Sequence, residues 1–212
     1  MTGVHVSVAL RLLGGGIPLF VAVLFLGFSS LSHAGLIYDP STRSYVEYDE
    51  RISPKRRVPG RYKRQTVRFV SKEPAGTIII DTRRHYLYYV LGKGRAIRYG
   101  VGLGRLGFGW KGVVKIGRKQ TWPAWTPPKE MIERQPSLAK YAGGMPGGPG
   151  NPLGARALYL FDGGRDTLYR IHGTNEPWTI GLNISSGCIR LKNADIKHLH
   201  KQAKVGAKVI VR

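Results

Sequence analysis

From Thr77 onward the chain is cut into short β-branched or aromatic runs by glycine-rich connections, a pattern that builds sheets and argues against a helical bundle. Thr77–Asp81 and His85–Leu91 flank the polar turn Thr82-Arg83-Arg84 and read as a hairpin. Ala96–Val101, Val113–Gly117, Ala157–Phe161 and Thr167–His172 continue the strand series, and Lys208–Arg212 alternates as a closing strand. Pro128–Gln135 reads as a short helix, since proline is tolerated in a first turn. A second helix runs from Ala194 to Lys204, with Asn193 as its N-cap, Ile196, Leu199 and Ala203 on one face, and Gly206 at its stop. Gly143–Gly154 (GGMPGGPGNPLG) is too rich in Gly and Pro for either regular element and reads as a long surface loop of the kind that forms functional lids. With 29 Gly and 13 Pro among 212 residues, the composition agrees with a turn-rich, mostly β domain carrying one or two short helices.

The N-terminal residues follow a different logic. Arg11 is the only Lys, Arg, Asp or Glu before Asp39, and it precedes an apolar run from Ile17 to Leu26. Ser32 and Ala34 then supply a small-x-small site ahead of Gly35, so residues 1–34 read as a secretory signal peptide. The alternative is an uncleaved anchor over residues 12–31, interrupted by Gly14, Gly15, Gly16 and Pro18; membrane association follows only in that case. Either way the remainder is expected outside the cytoplasm, in the periplasm or cell envelope. Residues 35–74 carry Lys55-Arg56-Arg57 and then Arg61, Lys63 and Arg64, with few aliphatic residues and no sustained period. They read as a basic, flexible linker before a domain spanning 75–212.

A net charge of +22 calls for an anionic partner or a solubility role. Nucleic acid is the usual inference from such a balance. Export argues against it and leaves lipid head groups and cell-wall glycans bearing free carboxylates.

One cysteine, Cys188, serves the whole chain, so no internal disulfide is available to it. A buried small hydrophobe and a free reactive thiol are both open readings. Ser185-Ser186-Gly187 leads into it and Arg190 stands two positions later, on the same face of an extended chain. A guanidinium there favours the thiolate, which is the nucleophilic form. A thiol nucleophile needs a base, and beyond the N-terminal segment the histidines are His85, His172, His198 and His200. His198 and His200 fall on the second helix and read as solvated; His85 reads as structural at a strand start. His172 ends a strand before the turn Gly173-Thr174-Asn175, which presents an imidazole at a rim. No metal cluster is expected from one cysteine and scattered histidines, and no cofactor is implied. Gly102-Leu103-Gly104-Arg105-Leu106-Gly107 fits G-x-G-x-x-G, but that fingerprint requires a following helix, and Phe108–Gly112 and a strand follow here.

Ile171-His172-Gly173-Thr174-Asn175, then Gly181, then Ser185-Ser186-Gly187-Cys188-Ile189-Arg190-Leu191 closely resembles the signature of the L,D-transpeptidase family, the YkuD-type domain. The resemblance extends from about Thr77 to Arg212 and includes Gly100–Gly112, the GGPGNPLG loop and the closing KVIVR strand. It implies an L,D-transpeptidase-like β-sandwich in which Cys188 is the nucleophile, His172 the general base, and Gly173 the residue whose carbonyl orients the imidazole. It also implies that Arg190 lies in the site and that backbone N–H groups around Gly187 and Cys188 form an oxyanion hole. Ser185, Ser186, Gly187, Asn175 and Trp178 are the further candidates for substrate contact, with the Met145–Leu153 loop as a rim. Ser186 departs from the family's usual histidine, which bears on fine tuning of the site and leaves His172 as the base.

The implied partners are peptidoglycan stem peptides, with a neighbouring stem, a lysine of an envelope protein, a free D-amino acid or water as acyl acceptor. A reading from another class stays open beside it: a non-catalytic wall-binding module that uses its basic surface alone.

Overall fold

The computed structural model describes residues 58–105, 110–185 and 187–212, together with the backbone of β1 (Gly35–Asp39) and β2 (Ser44–Tyr48), which pair as an antiparallel hairpin. The expected signal segment, and the linker expected over 35–57 apart from that hairpin, lie outside the described residues.

The chain is mostly β, as expected. After a 3-10 turn at Gly60–Tyr62 come β3 (Gln65–Arg68), β4 (Ile78–Asp81), β5 (Tyr86–Gly92), β6 (Arg95–Gly100), β7 (Leu103–Gly104) and β8 (Gly112–Thr121). Helix α1 (Lys129–Arg134) and a 3-10 turn at Pro136–Tyr141 precede β9 (Arg156–Asp162) and β10 (Arg165–His172). A 3-10 turn at Pro177–Thr179, β11 (Asn183–Ser185), β12 (Ile189–Arg190), α2 (Asn193–Gln202) and β13 (Lys208–Val211) complete it. Nine strands form one sheet in the order β12-β10-β9-β8-β13-β4-β5-β6-β3, and β11 pairs with β7. A bridge between Gly102 and Arg190 ties the segment after β6 to β12 at the sheet's far end, so the sheet rolls back on itself. Both ends then share one core: Leu87 and Tyr99 pack in the same cluster as Ile171, Ile189, Ile196 and Leu199.

Strand alternation decides which side chain enters which layer. Ile78 and Ile80 of β4 and Val209 and Val211 of β13 point into the main core. Ile79 joins a second cluster with Tyr88, Val90 and Ala96, against which Ile210, Val67 and Phe69 pack. That explains an unbroken isoleucine run, since β4 is covered on both faces. Each isoleucine so buried contributes ~1.5–3 kcal/mol.

The cover on the second face corrects the linker expectation. Residues 58–74 belong to the folded body: β3 pairs with β6 from Gln65↔Arg98 to Arg68↔Arg95, and the Phe69 ring stacks on Tyr88 at 4.4 Å. Tyr62 is 6% exposed and fills a slot opened by two glycines, because a Cβ at Gly100 or at Gly181 (φ 92°) would overlap it. Arg64 reaches the buried carboxylate of Asp195 at 3.5 Å.

Three smaller expectations also change. His85 lies in a four-residue turn with φ 57°, not in the strand, and its Nε2 hydrogen-bonds Asn183 Oδ1 at 2.8 Å. Lys192, not Asn193, is the N-cap of α2; the Asn193 Oδ1 instead accepts the Ala155 N–H at 2.9 Å and pins the helix to the start of β9. His198 and His200 are half-buried rather than solvated, and His198 Nδ1 accepts the hydroxyl of the fully buried Tyr99 at 2.9 Å.

Candidate active site

The site grows from one short parallel pairing. β10 and β12 run side by side with Ile171 opposite Ile189 and His172 opposite Arg190. Both isoleucines are in the main core, so alternation turns His172 and Arg190 to the opposite face. Arg170 shares that face two residues before His172, and Cys188, just ahead of β12, hydrogen-bonds the Arg170 backbone. Cys188 is therefore the diagonal neighbour of His172 across two strands, a separation that long side chains bridge.

Ser185 shapes the approach to the cysteine. Its Oγ donates to the Cys188 carbonyl at 2.6 Å and accepts the Gly187 N–H at 3.3 Å, closing a tight turn. Gly187 sits at φ 110°, a conformation that excludes ordinary side chains. Ser185 is 3% exposed, so its hydroxyl serves the turn. The Gly187 N–H, expected in an oxyanion hole, faces Ser185 Oγ, and Ser186 lies outside the described residues.

His172 is 4% exposed, and its Nδ1–H donates to the Gly173 carbonyl at 2.5 Å, a bond that makes Nε2 the acceptor nitrogen of the neutral ring. Gly173 is held from behind, because a Cβ there would overlap Asn193 Oδ1 and press on Ile196. Gly154 (φ 62°) packs as tightly against the Gly173–Thr174 backbone, so the GGPGNPLG loop ends directly on the histidine turn.

That loop is built around a buried amide. Asn151 is fully buried; its Nδ2 donates to the carbonyls of Pro123, Met145 and Pro146 at 3.0–3.2 Å, and its Oδ1 accepts the Leu153 N–H at 2.8 Å. Asn175, exposed on the histidine turn, donates to the Gly150 carbonyl at 3.1 Å and ties that turn to the loop. Trp178 lies half-buried on the 3-10 turn Pro177–Thr179. The Arg190 guanidinium meets Glu176 Oε2 at 3.0 Å, a partner the sequence reading missed.

Burial governs the titration of both His172 and Cys188. It pushes the His172 imidazole down to about 3, assisted by the Arg190 charge and opposed by backbone hydrogen bonds of Gly173 and Leu153. It pushes the Cys188 thiol up, while a hydrogen bond with the Arg170 backbone and the charges of Arg170 and Arg190 pull down. The expected help from Arg190 has the right sign and is outweighed by desolvation. Burial therefore disfavours the charged form of each group, the thiolate of Cys188 and the imidazolium of His172. Such an arrangement suits acyl transfer in which the proton leaves sulfur as the carbonyl is attacked.

Residues 75–211 match the family model for the L,D-transpeptidase catalytic domain, YkuD. The chain is 39% identical over 139 residues to the probable L,D-transpeptidase YbiS of Escherichia coli K12, covering 63% of this chain and 43% of that protein. It is 38% identical over 141 residues to the probable L,D-transpeptidase ErfK/SrfK of the same organism, covering 62% and 42%. It thus spans less than half the length of these relatives. A solved protein from Brucella melitensis, named a probable carnitine operon oxidoreductase, is 45% identical and covers 76% of this chain and 97% of its own, with a TM-score of 0.50. Within the G-x-G-x-x-G stretch, Leu103–Gly104 forms β7 and pairs with β11. With the family model spanning both the cysteine turn and the histidine turn, the chain belongs to the L,D-transpeptidase family.

Proposed function

We propose that this protein is an exported L,D-transpeptidase that forms 3→3 crosslinks between peptidoglycan stem peptides through a Cys188 thioester. The observation that carries the reading is the β10–β12 register, which sets Cys188 diagonal to an imidazole whose Nδ1–H is fixed on Gly173.

The Cys188 sulfur attacks the carbonyl of the third stem residue, the L-centre of a diaminopimelate, as His172 Nε2 takes the thiol proton. The tetrahedral intermediate collapses, its C–N bond breaks, and the imidazolium returns the proton to the departing D-alanine amine. A thioester remains. The amine of a neighbouring stem then attacks it, giving up a proton to His172, which passes it to the leaving sulfur. A backbone N–H at the cysteine turn stabilises the oxyanion, such a donor being worth about 3 kcal/mol in the barrier. The excess of basic charge draws the enzyme to an anionic sacculus, and added salt weakens that attraction.

The test uses the chain purified from Gly35 with a disaccharide-tetrapeptide. Crosslinked dimer, released D-alanine and a carbapenem adduct located on Cys188 are the expected products. A Cys188→Ala variant that still forms dimer would end this reading. Wall binding with no dimer and no shortened stem would favour a binding module instead.

A further inference from the structure

We propose that Arg118 is a substrate-binding residue: its guanidinium, laid over the Tyr159 ring two strands from Cys188, takes a free carboxylate of the donor stem. The inference rests on the transpeptidase reading and adds a specificity determinant to it.

Four outward-facing residues form a row across the sheet. Arg118 of β8 pairs with Tyr159 of β9, Tyr159 pairs with Arg170 of β10, and Cys188, just ahead of β12, hydrogen-bonds the Arg170 backbone. Arg118 reaches this face through a bulge. Ile116 points into the core, and Arg118 would follow it two residues later, but the register shifts between them. A bulge that re-aims a side chain is a recurrent device beside active sites.

Arg170, Arg190 and Arg118 differ in how their charge is used. Arg170 is 14% exposed and spends both terminal nitrogens on Asp166, at 2.6 and 2.9 Å. Arg190 is paired with Glu176. Arg118 is exposed; its charge helps hold the Asp166 carboxyl below its ordinary range, while the hydrogen bonds of that carboxylate go to Arg170 and the Leu168 N–H. Its carbon Cζ lies 3.8 Å from the Tyr159 centroid, and Arg170 Cζ lies 4.3 Å from the same ring. Tyr159 is 6% exposed and donates its hydroxyl to Gln120 Oε1 at 2.9 Å, so the platform under Arg118 is rigid. Asp166 neutralises one of the two cations on that ring and leaves a net positive charge, pre-oriented by stacking.

Distance selects the ligand group. Tyr159 stands two strand spacings, about 10 Å, from Cys188 across the sheet, and Arg118 starts one strand beyond it and leans back over that ring. The terminal D-alanine carboxylate lies only ~4–5 Å from the attacked carbonyl by covalent geometry, and falls short. A carboxylate ~7–9 Å from that carbonyl, plus one hydrogen bond, reaches the Tyr159 ring over which the Arg118 guanidinium leans. Two stem carboxylates qualify: the one at the far end of the diaminopimelate side chain and the free α-carboxylate of the glutamate before it.

Acylation kinetics of wild type, Arg118→Gln and Arg118→Lys with three disaccharide-tetrapeptides test this: unmodified, amidated on diaminopimelate, and amidated on glutamate. For unmodified stem, R118Q is expected to raise KM about ten- to thirtyfold with kcat little changed, the scale of one charge-assisted hydrogen bond. R118K is expected to recover part of the loss. Amidating the carboxylate in contact is expected to make wild type and R118Q equal, and the stem on which they become equal identifies the source. An R118Q defect of the same size on all three stems, or no defect on unmodified stem, overturns the subsite while leaving the transpeptidase reading intact. A wild-type chain that acylates with none of the stems removes both.

Discussion

Arg190 lies directly across from His172 in the parallel β10–β12 pair, and Glu176 holds its guanidinium at 3.0 Å. Glu176 is 44% exposed, so the pair contributes little to stability, within ~1 kcal/mol. Its expected effect is on position. Glu176→Gln should leave the melting temperature within a few degrees of wild type. It should slow carbapenem acylation of Cys188 by roughly three- to tenfold, read by intact mass against time.

A second expectation concerns pH. The buried imidazole of His172 titrates near 3 in the folded chain and near 6.5 when exposed. Between those values the unfolded state binds the extra proton, so stability falls as pH drops through that window. Urea midpoints from pH 7 to pH 4 should decline for wild type, and the decline should be shallower in His172→Gln. The acid limb of acylation should lie well below 6.5. Alkylation by iodoacetamide should still be climbing at pH 9, because burial holds the Cys188 thiol above its ordinary range.

Gly173 is fixed between its carbonyl's bond to His172 and the Asn193 amide behind it. Gly173→Ala should displace the turn, costing about 1–3 kcal/mol of stability through overpacking. Acylation should fall by on the order of a hundredfold, the scale of a 1 Å misplacement. Paired melting and acylation measurements separate the two effects.

Asn151 organises the loop that closes on His172. Asn151→Ala leaves several buried carbonyls without a donor, at ~1–3 kcal/mol for each unsatisfied group. If the loop shields the acyl-enzyme, the variant's product ratio should move from crosslinked dimer to free tripeptide stem, which chromatography of the digest would quantify. An unchanged ratio would show that the loop plays no part in excluding water.

Tyr62 fills the slot between Gly100 and Gly181. Tyr62→Ala should cost roughly 3–5 kcal/mol, as for other large aromatics removed from a core. Tyr62→Phe should restore most of it, and a chain starting at residue 75 should melt lower than one starting at residue 58.

The positions of Cys188, His172, Gly173 and Arg190 were legible in the sequence because two short segments carry them and a sixteen-residue step separates histidine from cysteine. Strands β4 to β6 and β13 were legible because alternation and β-branched runs are local signals. β3 was not: its four residues are mostly exposed at a sheet edge, and the surrounding lysines and arginines gave it the look of a linker. The roles of Asn151, Asn193 and Glu176 were equally hidden. Each acts through a partner distant in sequence, such as Asn193 on Ala155 and Glu176 on Arg190. Asn175 and Ser185 were marked for substrate because polar residues beside a nucleophile invite that reading; their hydrogen bonds go to the protein's own backbone.

The Tyr62 latch has a mechanical meaning. Tension applied to the chain ahead of residue 58 enters the folded body at a ring wedged against Gly181, four residues before Ser185. Behind it stand the four register pairs of β3 with β6 and the Arg64–Asp195 contact. A load on that end is met at the latch first, and the cysteine turn lies a few residues beyond it.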